Sequence, residues 1–300
     1  MNPVRQLIDP DDLAKTAHLE LLSKLRIDGL LSGRHRSKTK GGCAEFAEHR
    51  AYSPGDEVRL LDWRVFAKSD RYVIRQYEEE ISLQALIAID ASGSMGFSMS
   101  TVSKYEYAQA AALCLARIVL GQRDSAGLAV LGGGLRSFIP PRSRASHLDV
   151  IKETLDANSP VGPTTMADDL GEVARRIKRR GLVLLFSDCF DSVERLAKSL
   201  KLLRSRRHEV LLFHVLAPEE VSFSFKRWTR FEPMESGVPG IDLDPVAVRS
   251  MYLAKLKTFL AQVRQICAEC SCDYIPMSTG RPVGDTLSHY LRRRMAAAKI

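Results

Sequence analysis

The chain lacks any apolar run of about 18 residues, the length a helix needs to cross a bilayer. Its opening stretch, Met1 to Lys15, has no apolar core of the kind a secretory leader carries. The sequence therefore predicts neither a membrane span nor a signal peptide. There are only two tryptophans and no aromatic platform interleaved with basic residues, which weighs against a single-stranded nucleic-acid binder. No GxxxxGK[ST] loop is present, so a Walker-type NTPase site is excluded. No GxSxG elbow is present either, and Ser94 lacks the flanking glycines of one. Cysteine is sparse. Cys43, Cys114 and Cys189 are scattered among apolar neighbours, while Cys267, Cys270 and Cys272 form CAECSC with no second CxxC and no nearby histidine. That cluster reads as a helix end running into a strand rather than as a zinc or redox site. Reduced thiols and a cytoplasmic location are expected.

What is present is an ordinary globular composition, 45% apolar and 27% charged over 300 residues, which excludes wholesale disorder. The net charge of +8 is only mildly basic and singles out no partner class. Leu13 to Leu31 carries a helical apolar pattern, and Ser32 to Gly42 reads as a basic linker. Ser53 to Asp56 (SPGD) is a turn signal, and Arg71 to Ser82 reads as a strand. From about residue 82 the pattern changes. Leu83–Ile89, Gly127–Leu131, Leu182–Phe186 and Glu209–Leu216 are continuous apolar runs, as strands covered on both faces require. Helices lie between them. Ser103 to Glu106 is a capping box opening a helix to Gly121, Met166 to Arg180 is amphipathic, Ser192 caps another helix, and Asp244-Pro245 opens a long one. A last strand, Cys272 to Met277, and a last helix, Asp285 to Lys299, follow. Gly132 to Gly134 reads as a hairpin turn, and His214 as a core residue. The expectation is an α/β fold with a doubly wound, mostly parallel sheet over 82–300, preceded by a helical and hairpin segment over 1–81.

In such sheets ligands bind at the carboxyl ends of strands. The first strand of the repeat ends in Asp90-Ala-Ser92-Gly-Ser94, a carboxylate and two hydroxyls in a tight turn. These are oxygen donors suited to a hard cation, Mg²⁺ or Mn²⁺. The plainer reading is an Asx turn with serines capping a helix. Thr164 in the loop before a helix, and Asp188 after the strand Leu182–Phe186, are expected at the same edge, giving a candidate metal set of Asp90, Ser92, Ser94, Thr164 and Asp188.

The DxSxS turn, loop threonine and loop aspartate resemble the metal-ion-dependent adhesion site of von Willebrand factor A-like domains. The run from Arg50 to Glu80, with Arg50, Tyr52, Gly55, Asp56, Arg59, Asp62 and Trp63 in R-x-Y-x-x-G-D-x-x-R-x-x-D-W, resembles the bacterial family called domain of unknown function fifty-eight. The resemblance covers roughly 30–295. Pro163 departs from it, standing where a second glycine often precedes the threonine. The resemblance implies a von Willebrand factor A-like fold and a metal-dependent adaptor or co-chaperone working beside a MoxR-type AAA+ ATPase or its client. Neutral hydroxyls would leave a bound cation much of its charge, open to a partner's carboxylate.

Two other classes compete. One is a Mg²⁺-dependent hydrolase or phosphotransferase, but no nucleophile or base accompanies the site, and the position two after Asp90 is Ser92 rather than a second acid. The other is a nucleic-acid-associated module using basic clusters at Arg175–Arg180, Arg204–His208 and Arg292–Arg294. Such clusters read more simply as solvated helix ends. The segment Arg50–Tyr77, rich in Arg, Tyr and Trp, suits a docking surface. In the plainer reading, pairs such as Asp56–Arg59 and Asp62–Arg64 tie it down.

Overall fold

The computed structural model describes residues 44–56, 58–79, 83–99, 102–225, 227–232, 234 and 240–298. The helix expected over 13–31 and the linker over 32–42 lie outside these residues. The chain divides between Ser82 and Leu83 into two compact units.

In the smaller unit, β1 (Ala44–Ala51) pairs antiparallel with β2 (Val73–Glu79). The turn at Ser53–Asp56 forms as expected, with the Asp56 N–H donating to the Ser53 carbonyl at 3.0 Å. Pro54 sets the first central position, and Gly55 takes φ +107°, which a side chain would resist. A helix, α1 (Trp63–Ser69), follows, and Asp62 is its N-cap, accepting from the Arg64 and Val65 N–H groups. The ion pairs expected here are corrected. Asp56 pairs with Arg50 at 2.8 Å, and Asp62 lies 3.1 Å from His49. A carboxylate that caps a helix turns back onto backbone N–H groups, which takes Asp62 away from the Arg64 side chain. Trp63 is 56% exposed.

The larger unit is the doubly wound α/β sheet expected. Its strands are β3 (Gln84–Asp90), β4 (Ser125–Leu131), β5 (Leu135–Arg142), β6 (Leu182–Ser187), β7 (Glu209–Leu216) and, last in the chain, β10 (Asp273–Ser278). They lie in the order β10-β7-β6-β3-β4-β5, all parallel except β5, which returns beside β4 through the hairpin Gly132–Gly134. The helices are α2 (Lys104–Gly121), α3 (His147–Ala157), α4 (Met166–Arg176), α5 (Val193–Ser205), the short α6 (Pro218–Ser222), α7 (Pro245–Glu269) and α8 (Val283–Ala298). A small ribbon, β8 (Thr229–Phe231) and β9 (Ile241–Leu243), precedes α7.

Alternation along each strand builds two cores. Ile87 and Ile89 face the layer of α2, α3 and α8, with Leu115, Ile151 and Leu287. Leu86 and Ala88 face α4, α5 and α7, with Leu170, Leu200 and Val263. The Ser103–Glu106 capping box closes the start of α2, with the Ser103 N–H donating to Glu106 at 2.8 Å. His214 is fully buried, as expected of a core residue. Cys267, Cys270 and Cys272 are buried thiols where α7 gives way to β10, and burial pushes Cys267 and Cys272 up to about 12.

Two expectations are corrected. The helix from Met166 stops at Arg176, not Arg180, because the Arg206 guanidinium takes the Ala174 carbonyl at 2.7 Å and Ile177 turns extended. Arg294 is not part of a basic face. It is 3% exposed and ion-paired to Glu209 and to Asp273, the latter at 2.9 Å. No helix among the described residues is long and apolar enough to cross a membrane.

Candidate functional site

The strand order reverses at β3, with β4 on one side and β6 on the other. The connections leaving the carboxyl ends of β3 and β6 therefore run apart and open a crevice there, the usual ligand position in such sheets. Asp90 ends β3 and Asp188 follows β6, and both are fully buried.

The chain after Asp90 turns at once. One carboxylate oxygen, Oδ1, accepts from the Ser92 N–H at 2.9 Å. The Asx turn of the plainer reading is present, but its serine cap is not. Ser92 opens the 3₁₀ turn Gly93–Gly96 without a side-chain cap bond, and its Oγ instead faces Ser94 Oγ at 3.2 Å. Ser92 is buried and Ser94 half-buried. Gly93 sits against other backbone, because a Cβ there would overlap the Met234 carbonyl oxygen.

The loop carrying Thr164 is tied to this turn. The Gly93 N–H donates to the Gly162 carbonyl at 2.9 Å, and the Val161 N–H to the Ala91 carbonyl at 3.0 Å. Thr164 is half-buried there. Its neighbour Thr165 is engaged elsewhere, donating to Asp169 Oδ2 at 2.8 Å and accepting from the Gly134 N–H at 3.1 Å.

The sequence reasoning missed three side chains. Ser187, the last residue of β6, donates to Asp90 Oδ2 at 2.7 Å. Lys104, the first residue of α2, is fully buried, and its Nζ lies 2.7 Å from Asp188 Oδ2 and 2.6 Å from Glu220 Oε1. Glu220 also accepts from the Ala217 N–H at 2.8 Å. A cation in the first turn of a helix opposes the helix dipole, and that anomaly at Lys104 was the available signal. Ser187 stood beside Asp188 in the strand, whereas nothing local marked Glu220.

Electrostatics divide the two carboxylates. Burial, reinforced by Asp188, raises Asp90 to about 6. Its hydrogen bonds come from neutral donors, and no cation pairs with it among the described residues. Burial pulls the Lys104 ammonium down, but Asp188 and Glu220 outweigh this and leave it above its ordinary value. Glu220 is also held above its ordinary value, because burial outweighs the help of Lys104. Under Asp188, the His214 Nε2–H donates to the Asp188 carbonyl at 2.8 Å, and Nδ1 lies 2.9 Å from the Tyr274 hydroxyl. Since a carbonyl only accepts, the Nε2 tautomer is fixed, and burial lowers His214 to about 4.

No three His, Cys, Asp or Glu side chains among the described residues are placed to hold a metal ion. A cation at this edge would rest on hydroxyls and at most two carboxylates. The half around Asp90 fits that demand. Its charge is uncompensated, and the 3.2 Å between Ser92 Oγ and Ser94 Oγ is close to the ~3 Å edge between neighbouring ligands of a six-coordinate Mg²⁺. Two apolar side chains beside it are exposed, Val161 at 54% and Met234 at 47%. Val161 is bonded to Ala91, and the Met234 methyl lies 3.4 Å from where a Cβ on Gly96 would stand.

A family model described as "Protein of unknown function DUF58" matches residues 48–258. Uncharacterized proteins of Mycobacterium tuberculosis and Mycobacterium bovis are 28% identical over 295 residues, covering 96% of this chain and 92% of theirs. Among solved structures, an aerotolerance-related membrane protein from Bacteroides fragilis superposes with a TM-score of 0.48 at 17% identity, covering 71% of this chain and 100% of that one. The conserved hypothetical protein BatB from Bacteroides thetaiotaomicron gives 0.47 at 16%, covering 72% and 100%. The SpRpn10 VWA domain gives 0.42 at 11%, covering 69% and 94%.

Proposed function

The chain belongs to the DUF58 family, with a von Willebrand factor A-like fold, and from that premise we propose that it is a protein-interaction module docking through the carboxyl edge of its sheet. The observation that carries this is a buried, uncompensated carboxylate with two facing hydroxyls, set beside exposed Val161 and Met234. Exposed apolar side chains are a mark of interaction surfaces, and the carboxylate beside them offers a polar anchor. The reading is one of binding, and it assigns the chain no turnover.

Asp90, Ser92 and Ser94 would hold Mg²⁺ or Mn²⁺, with Thr164 on the adjoining loop and Asp188 across the crevice. When bound, the cation supplies a positive charge for a partner's Asp or Glu. Ser187 and the Ser92 N–H fix the Asp90 carboxylate in place. Gly93 lets the turn pack under the Met234 backbone. The family resemblance names the partner as a MoxR-type AAA+ ATPase or its client. The five cysteines among the described residues are free and buried, which supports a reducing, cytoplasmic setting.

The test is capture of a purified MoxR-type ATPase on immobilised protein, with Mg²⁺ or with EDTA. Wild type should capture with Mg²⁺ and fail in EDTA, while Asp90→Asn and Val161→Asp should fail in both. Capture indifferent to EDTA and to Asp90→Asn would refute the metal-dependent reading.

A further inference from the structure

Asp90 and Asp188 face the same crevice with different partners. Asp188 has both oxygens engaged, Oδ1 by the Phe190 N–H at 3.1 Å and Oδ2 by the Lys104 ammonium at 2.7 Å. Asp90 receives only neutral donors. The ammonium is held from every side. It is shared with Glu220 at 2.6 Å, and lies 4.8 Å from the centre of the Phe190 ring and 5.8 Å from that of Phe97. Its stem is the first residue of a helix that buries nearly its whole circumference, so it cannot swing away while α2 stays packed.

We infer that Lys104 is a resident cation of the crevice: it withholds Asp188 from a divalent ion, leaves ligation to Asp90, Ser92 and Ser94, and so keeps the intrinsic affinity of the site low. The inference rests on the cation reading above and narrows its ligand set. Lys104 acts twice, by occupying a carboxylate oxygen and by placing a positive charge beside the bound ion. A divalent ion ligated by a single carboxylate of this chain keeps most of its charge. It is then held well only when a partner contributes a second carboxylate, and by linkage ion and partner each tighten the other by one common factor. Lys104 is in this sense a positioning residue, setting how far binding depends on the partner.

The experiment is titration of the full chain with Mn²⁺, reading free Mn²⁺ by electron paramagnetic resonance, with thermal melting as a check on folding. Lys104→Met should bind Mn²⁺ at least about tenfold more tightly than wild type, because Asp188 is released and a like charge removed. Lys104→Met strands two buried carboxylates, so Lys104→Met/Glu220→Gln, which removes one charge of each sign, serves as the variant that keeps its fold, and it should also tighten binding. Lys104→Met/Asp188→Asn should return to within about threefold of wild type, since Asp188 was never a ligand; a purely structural role for Lys104 would move none of these affinities. The inference is overturned if wild type binds in an Asp90-dependent way but Lys104→Met/Glu220→Gln binds no tighter. It is equally overturned if Lys104→Met/Asp188→Asn binds more than tenfold more weakly than wild type. If neither wild type nor any Lys104 variant binds above the Asp90→Asn background, the cation reading itself fails and this inference with it.

Discussion

In metal-free protein Asp90 should be a measurable burden on stability, and Asp90→Asn should relieve it. The carboxyl is fully buried and raised from its ordinary 3.8 to about 6, chiefly by burial and then by Asp188. That value already includes the help of the Ser92 N–H and the Ser187 hydroxyl. A shift of this size means that the ionised form costs the fold about 3 kcal/mol at neutral pH. Because the folded value lies above the unfolded one, the favourable contribution is fully present below pH 3.8 and is lost as the pH climbs through 6. Between roughly pH 4 and pH 7.5 the loss is about 2.5 kcal/mol. For a unit of this size that is about 5–10 °C in Tm.

The wild-type profile alone does not isolate this. His214, lowered to about 4, titrates in an overlapping range with the opposite sign: stability is lost as pH falls through the same window, when the unfolded ring protonates and the buried one does not. The informative quantity is the difference between Asp90→Asn and wild type, melted in EDTA at both pH values. Asparagine fills the same space and can still accept from the Ser92 N–H. The variant should match wild type near pH 4 and exceed it by up to about 2.5 kcal/mol near pH 7.5. Saturating Mg²⁺ should then stabilise wild type at pH 7.5 and leave the variant unmoved. A difference that stays constant between the two pH values would refute the claim that Asp90 is buried and uncompensated, and would remove the physical reason for a cation there.

Other outcomes bear on the frame around the site. Arg294→Met should lower stability by about 3–5 kcal/mol in urea unfolding, because it removes one partner of the buried Arg294–Glu209 ion pair; a surface arginine would cost less than about 0.5 kcal/mol. Gly93→Ala should displace the backbone at Met234, since the new methyl overlaps its carbonyl, and urea unfolding should then show a loss of about 1–3 kcal/mol against wild type.

Much of this was legible because the signals were local. Continuous apolar runs marked the strands of a two-faced sheet, and the Ser103–Glu106 box fixed the start of α2 to the residue. DxSxS at the end of the first strand of that sheet placed Asp90 at the switch point. What escaped was tertiary. Lys104 meets carboxylates 84 and 116 residues away, a pairing no spacing rule encodes. The early end of α4 depends on Arg206 reaching back 32 residues to a carbonyl. Arg294 is different, because it could have been found. It lies three residues beyond Leu291 and seven beyond Leu287, both fully buried, so the helical period puts it on the inward face of α8. Reading Arg292–Arg294 as one charged block concealed that. Asp62 was misjudged in a similar way, as an ion-pair partner rather than as the cap of the helix that begins at the next residue.

The charge arrangement follows from the topology. A sheet that winds both ways from β3 brings the ends of β3 and β6 together, and α2 begins just above them. Three carboxylates, Asp90, Asp188 and Glu220, therefore converge on a region served, among the described residues, by the Lys104 ammonium, which is spent on two of them. Packing alone gives no reason for the third. Ile89, Ala91 and Met95 around it are all fully buried, and an apolar residue at position 90 would avoid the desolvation that raises Asp90. Asp90 lies at the strand edge where the Ser92 and Ser94 hydroxyls face each other and Ser92 makes no cap bond to the 3₁₀ turn it opens. A carboxylate that weakens the fold, and hydroxyls that face each other, are together what the proposed site for an external positive charge accounts for.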